Sequence, residues 1–204
     1  MSEATSTSNT HIVAVCGSLR NGSLTRRALA HAVQDLRRRP DVTLDIIDPC
    51  HLDLRFPGQE GAGELEKDLI ARVSRADGVL LATPEYHGSI SSVLKALLDS
   101  MGYPSALAGK PAALIGVAAG RPGAVKSLDH LRSVCAHMGA IVMPYPVSVP
   151  IAHEILPQED VCADPEIDRM LREVGTQLLL FSQRHKAIAR SVLDPLTEEQ
   201  SVEP

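Results

Sequence analysis

The sequence predicts a single α/β domain, a three-layer doubly wound parallel sheet of five strands in the order 2-1-3-4-5. Three observations carry this. Five apolar, β-branched runs alternate with five stretches of helical periodicity, the pattern of repeated βαβ units. Asp77-Gly78-Val79-Leu80-Leu81-Ala82-Thr83 is almost continuously apolar, as a central strand covered on both faces must be. Ile141-Val142-Met143-Pro144-Tyr145-Pro146-Val147 contains prolines that cannot donate to a ladder, which confines this run to an edge.

In chain order, a polar Ser/Thr tail over 1–10 precedes the first strand, 11–16. The first helix is expected over 24–38, with Leu24, Ala28, Leu29, Ala32, Val33 and Leu36 inward, and Pro40-Asp41 breaks it. The second strand, 42–48, alternates only partly and suits an edge. A long Gly/Pro-rich loop, 49–63, leads to a helix over 64–75 carrying Leu65, Leu69, Ile70 and Val73 on one face. After the third strand, 77–83, a polar loop precedes a helix over 91–101. A fourth strand, 112–118, the loop 119–123, and a helix over 124–138 with Val125, Leu128, Leu131 and Cys135 inward follow. The fifth strand is 141–147, then an irregular stretch, 148–163, and a long helix, 164–186. The domain is drawn over 11–190, and the acidic tail 191–204 is expected to be loose.

The composition bounds the function. A chain of 204 residues with net charge −5 gives no electrostatic reason to expect nucleic acid or a membrane surface. No apolar stretch reaches the ~20 residues that span a bilayer. The start of the chain lacks the basic and apolar regions of a secretory signal. The cysteines, at 16, 50, 135 and 162, form no C-x-x-C, so free thiols in a reducing cytoplasm are expected. The histidines show no H-x-x-x-H or H-E-x-x-H spacing, and no metal site is assigned.

In the order 2-1-3-4-5, the loops 17–24, 84–90 and 119–123 meet at the carboxyl end of the sheet, beside the point where the winding reverses. The first is Gly17-Ser18-Leu19-Arg20-Asn21-Gly22-Ser23-Leu24-Thr25, between a strand and a helix. Glycines admit close approach, the helix N-terminus offers unpaired N–H groups, and its dipole favours an anion. The loop almost spells a P-loop, but Ser23-Leu24 stand where Lys and Ser or Thr are required. Leu19 breaks G-x-G-x-x-G as well. A single phosphate bound without metal fits better, and an ordinary capped β-to-α turn is the plain alternative. Ser92-Val93-Leu94-Lys95 matches S-x-x-K, but neither S-D-N nor K-T-G accompanies it. Asp48 reads as a strand-end cap.

These loops, with Thr83-Pro84-Glu85-Tyr86-His87-Gly88-Ser89-Ile90, Leu94-Lys95 and Gly109-Lys110-Pro111, resemble the NAD(P)H-dependent FMN reductase family. That family has a flavodoxin-like fold and includes flavin, quinone, azo-dye and chromate reductases. The likeness spans about residues 11–145. It implies that Ser18, Arg20 and Ser23 hold the FMN phosphate, together with the backbone N–H groups of Gly22, Ser23, Leu24 and Thr25. It implies that Pro84, Glu85, Tyr86, His87 and Gly88 line the flavin ring, and that Gly120 and Arg121 bound its other side. The implied cofactors are FMN and NADPH or NADH, and the implied assembly is a homodimer or homotetramer. His87, Ser91 and Ala96 depart from the family's usual Asn, Pro and Asn.

The expected function is hydride transfer from NAD(P)H to FMN and then electron transfer to free flavin, a quinone or a similar small acceptor. No catalytic side chain is assigned, because alignment and exclusion of water do the work. Tyr86 and His87 are the loop side chains that could take a direct part, and His87 reads first as a loop hydrogen-bonder. Glu85 is expected either to cap the helix after it or to order the loop. Arg121 is expected at the phosphate of NADPH, at the flavin edge, or in solvent. The rival readings are an electron carrier or flavin redox sensor, and a nucleotide-binding module that has lost its flavin.

Overall fold

A computed structural model describes residues 9–199. The chain runs β1 (Thr10–Cys16), α1 (Leu24–Val33), β2 (Val42–Ile47), α2 (Ala62–Ser74), β3 (Gly78–Pro84), α3 (Ser92–Asp99) and β4 (Pro111–Val117). It continues α4 (Val125–His137), β5 (Ile141–Val142), β6 (Val147–Val149), α5 (Ala152–Ile155) and α6 (Pro165–Glu199). All strands are parallel, in the order β2-β1-β3-β4-β5, with β6 also paired to β4.

Alternation along the strands divides the core. Ile12, Ala14, Leu80, Ala82, Ala113 and Ile115 face α1 and α6. Val13, Val15, Val79, Leu81 and Leu114 face α2, α3 and α4. Every residue of β3 and β4 is buried, as an apolar strand between two helical layers requires. Lys110 gives the Gly-Lys-Pro segment a structural role. Its Nζ donates to Ser74 O at 3.0 Å and Ala76 O at 2.7 Å, which fastens the end of α2 to the start of β4. Burial lowers its pKa.

Several expectations change. The expected fifth strand is two short pieces along β4, because Tyr145 turns left-handed (φ 60°) between Pro144 and Pro146 and carries the chain off the ladder. The expected first helix stops at Val33, and residues 36–38 form a separate 3-10 turn. Leu36 is still buried by that turn. Val125 is 54% exposed rather than inward, because it is the first residue of α4 and the buried face of the helix is set by Ser127, Leu128, Leu131 and Cys135. The stretch 148–163 contains most of β6 and all of α5. The last helix continues to Glu199, into the stretch read as a loose tail. The expected N-terminal tail falls mostly on residues 1–8, and these, like 200–204, lie outside the described residues.

Candidate active site

β1 gives way to the 17–25 loop beside β3. Gly17 N donates to Ala82 O at 2.8 Å, and a side chain on Gly17 would meet Ala82 O at 2.7 Å and Leu94 Cβ at 2.9 Å. Only glycine lets the loop leave the sheet this close to α3. Gly22 turns left-handed (φ 65°) and delivers Ser23 as the N-cap of α1. Ser23 Oγ accepts from Arg26 N at 3.2 Å, so its hydroxyl hydrogen is free to donate outward. Ser18 Oγ accepts from Arg20 N at 3.4 Å. The first turn of α1 holds no acidic residue, so nothing on the helix itself neutralises its positive end.

Ser91 fixes this loop to α3. Its Oγ accepts from Leu94 N at 3.0 Å as the N-cap and donates to Gly17 O at 2.6 Å. Its own N–H donates to Thr83 Oγ1 at 3.1 Å. Below the loop, Cys16 Sγ faces Ser18 O at 3.8 Å, and burial pushes this thiol up to about 11. It stays a neutral filler.

Beyond β3 the chain makes a tight hairpin. Tyr86 and Ser89 exchange both backbone hydrogen bonds at 3.0 Å, and His87 and Gly88 form the tip at φ 51° and 72°. That is the signature of a two-residue turn with both central residues left-handed. His belongs to the few non-glycine types enriched there, so the residue in the place of the usual Asn serves the turn. Among the described residues, the N–H groups of His87 and Gly88 have no intramolecular acceptor.

α4 holds the hairpin. Glu85 Oε2 accepts from Ser127 N at 3.0 Å, so Glu85 caps α4, not the helix that follows it in sequence. Ser89 Oγ pairs with His130 Nδ1 at 3.0 Å. The third loop is braced by the strand and turn at 147–152. Ala118 N donates to Val149 O at 2.9 Å, Ile151 N to Gly120 O at 3.2 Å, and Ala152 N to Ala118 O at 3.0 Å.

The loops enclose a cavity of about 440 Å³, within the range of small-molecule and cofactor sites. Ser18, Arg20, Gly22, Ser23, Leu24 and Thr25 line one end, and Pro84, Glu85 and Tyr86 line the other. The Arg20 guanidinium lies 5.1 Å from the centre of the Tyr86 ring and so joins the two halves. His87, Gly88, Gly120 and Arg121 are outside the lining: the first two form the hairpin tip, Gly120 is a backbone anchor, and Arg121 is exposed. Asn21, Val117, Ala118, Ala119 and Ala152 also line the cavity and receive no individual role from the sequence, although Asn21 and Ala119 fall within the loops 17–25 and 119–123 expected at the site. Asn21 sits inside the loop already singled out, and 117–119 lead directly into Gly120. Ala152 had no local signal, since β6 and α5 alone bring it to the site.

Behind the phosphate-type loop, Arg26 is held by Asp48 (Nε–Oδ2 2.6 Å, Nη2–Oδ1 3.1 Å) and reaches Arg20 O at 3.4 Å. Asp48 also accepts from Cys50 N at 3.0 Å, the capping role expected of it. Burial alone would raise Asp48, but Arg26 and the Cys50 N–H outweigh it and hold the carboxyl below the usual range.

The sequence model of the NADPH-dependent FMN reductase family matches residues 10–154, which contain every loop of this cavity. A 2-hydroxy-1,4-benzoquinone reductase of Burkholderia sp is 36% identical over 139 residues, 66% of this chain and 75% of the relative. The crystal structure of an apo NADH:FMN oxidoreductase superposes with a TM-score of 0.68 at 28% identity, covering 84% of this chain and 89% of that one. A flavoenzyme NAD(P)H:(acceptor) oxidoreductase from Paracoccus denitrificans gives 0.67 at 25% identity, covering 87% and 98%.

Proposed function

Since the chain belongs to the NADPH-dependent FMN reductase family and is an NAD(P)H- and FMN-dependent oxidoreductase of small acceptors, we propose that its 440 Å³ cavity seats the FMN and that quinones or free flavin are its acceptors. One observation carries this assignment. The capped N-terminus of α1, with no acid in its first turn, faces into the same cavity as the hairpin at Pro84–Tyr86. An anion and a planar ring joined by a short chain match such an arrangement.

FMN bound there supplies a ring that accepts hydride from a reduced nicotinamide and releases two electrons to the acceptor. The chain's own part is to bind and align. Ser18, Arg20, Ser23, and the N–H groups of Gly22, Ser23, Leu24 and Thr25 take the phosphate. Pro84, Glu85 and Tyr86 form the wall for the ring. The N–H groups of His87 and Gly88, without an acceptor among the described residues, stand at the hairpin tip outside the cavity lining. They would be fixed donors for negative charge on a ring edge that extends past Tyr86, held by a hairpin that α4 braces and that need not reorganise. Gly120 and Arg121 belong to the opposite rim. With Trp absent and aromatics at 2%, the ring face is left to a second planar molecule, first the nicotinamide and then the acceptor.

The reading extends to assembly and location. The open groove of about 480 Å³ beside the hairpin, lined by residues such as Ile90, Lys95 and His130, is where a second copy would sit in this reading. Light scattering should therefore report a dimer or tetramer. Four free thiols suit a reducing cytoplasm, and among the described residues no helix is long and apolar enough to cross a membrane.

The decisive experiment is anaerobic. The protein is mixed with one equivalent of FMN, binding is confirmed, and NADPH or NADH is added while the visible flavin absorbance is followed. Rapid bleaching by either nucleotide is the expected result, and the faster one names the donor. Bound flavin bleached by dithionite alone would make the protein a carrier or sensor, and absence of binding would end the flavin reading.

A further inference from the structure

Three arginines stand at the phosphate-type loop, and their surroundings differ. Arg20 lies over Tyr86, and Arg26 is neutralised by Asp48. Arg27 is partly buried, and among the described residues it has no carboxylate partner. Its Nη1 donates to Leu156 O at 2.7 Å, and its Nε is buried with no partner. Its Nη2 lies 3.9 Å from where a side chain on Gly22 would begin.

This placement runs against the electrostatics of the protein alone. Side chains on a helix lean toward its N-terminus, so the guanidinium of residue 27 comes back over the first turn of α1. A cation there has the wrong sign for the helix dipole. It is also partly desolvated, and it leaves a buried donor unpaired. Arg27 is not among the side chains that line the cavity, so an anion seated on the 22–25 loop meets its charge through Nη2 beside Gly22, and offsets the dipole and desolvation costs without reaching the buried Nε.

Resting on the reading that this seat takes a flavin phosphate, we infer that Arg27 is the counter-charge by which the protein selects the phosphorylated flavin over riboflavin. The same side chain links the seat to the strap at 151–156. Leu156 O holds its Nη1, and Ala152 of that strap lines the cavity. Ile151, a β-branched residue at φ 33°, opens the strap in a conformation that only surrounding contacts maintain.

The test uses the apo-protein and its Arg27→Met and Arg27→Gln variants, titrated with FMN and with riboflavin by quenching of flavin fluorescence. Far-UV circular dichroism checks each variant first. Arg27→Gln removes the charge but keeps a polar side chain, although its amide stops about two bonds short of the Nη1 that reaches Leu156 O, so it carries the test if Arg27→Met fails to fold. The expected result is a rise of about ten-fold or more in the dissociation constant for FMN, with that for riboflavin changed less than about two-fold. Inorganic phosphate should also compete with FMN less well in the variants. Equal losses for both flavins would make Arg27 a strut for the strap, and an unchanged preference would make it a bystander. Either outcome overturns the inference while leaving the flavin site intact, whereas wild-type protein that binds no FMN overturns both.

Discussion

Arg20 and Ser23 show what a single residue contributes here. The Arg20 charge faces the cavity, and Ser23 both caps α1 and keeps a hydroxyl hydrogen for a ligand. Replacing both by Ala should raise the FMN dissociation constant by at least about ten-fold, since hydrogen bonds to charged groups contribute ~1.5–3 kcal/mol. The Ser23 change alone should lower stability by ~0.5–2 kcal/mol through the lost cap. Calorimetric titration and denaturant melts read the two effects separately. His87 makes a conformational prediction. His87→Asn should preserve stability and FMN affinity, because Asn also tolerates the left-handed region. His87→Val should cost ~1–3 kcal/mol and weaken FMN binding, because a β-branched residue is strained there. Glu85 marks the limit of local reading. It precedes α3 by a few residues, but its carboxylate lies at Ser127 N, and no spacing in the sequence points across that distance.

At the scale of elements, Ser91 joins β3, α3 and the Gly17 loop in one buried group of hydrogen bonds. Ser91→Ala should destabilise the protein by ~1–3 kcal/mol, from a lost helix cap and an orphaned Gly17 carbonyl. It should also weaken FMN binding, because the loop is then free to move; melts and FMN titration check this together. The edge strand β2 is clamped by helices of both layers, Arg26 of α1 on Asp48 and Arg72 of α2 on Asp45. Arg72 holds Asp45 below the usual carboxylate range, as Arg26 does Asp48. A carboxyl depressed in the folded state contributes fully above its unfolded value of about 3.9 and loses that contribution as pH falls through the folded value. Thermal stability should therefore hold from neutral pH to about pH 5 and decline below about pH 4, and Asp48→Asn should flatten part of that decline. Strand and helix identities were legible because period and breakers are local. The end of α1 at Val33 and the splitting of the fifth strand were not, because packing on neighbouring elements decides where a marginal turn stops.

For the whole molecule, cofactor binding and folding are linked. FMN at about a hundred times its dissociation constant should add ~2.7 kcal/mol, which for a chain of this size raises the melting temperature by ~5–10 °C. Riboflavin should give a smaller rise, and a melt without either should be the lowest; equal melting temperatures in all three would mean that no flavin binds the native state. The sequence by itself determined the alternation of strands and helices, the central and edge strands, the sheet order, and which loops meet at its carboxyl end, because these follow from hydrophobic period, proline chemistry and the handedness of crossovers. It also identified both ends of the cavity, since glycine, hydroxyl and turn residues act within a few positions of where they stand. Only the tertiary structure decided that Glu85 serves α4, that Ala152 walls the site, and that Arg27, beside Gly22, has no carboxylate partner among the described residues. Those facts depend on segments far apart in the chain, and whether a charge has a partner is settled only when every element is in place.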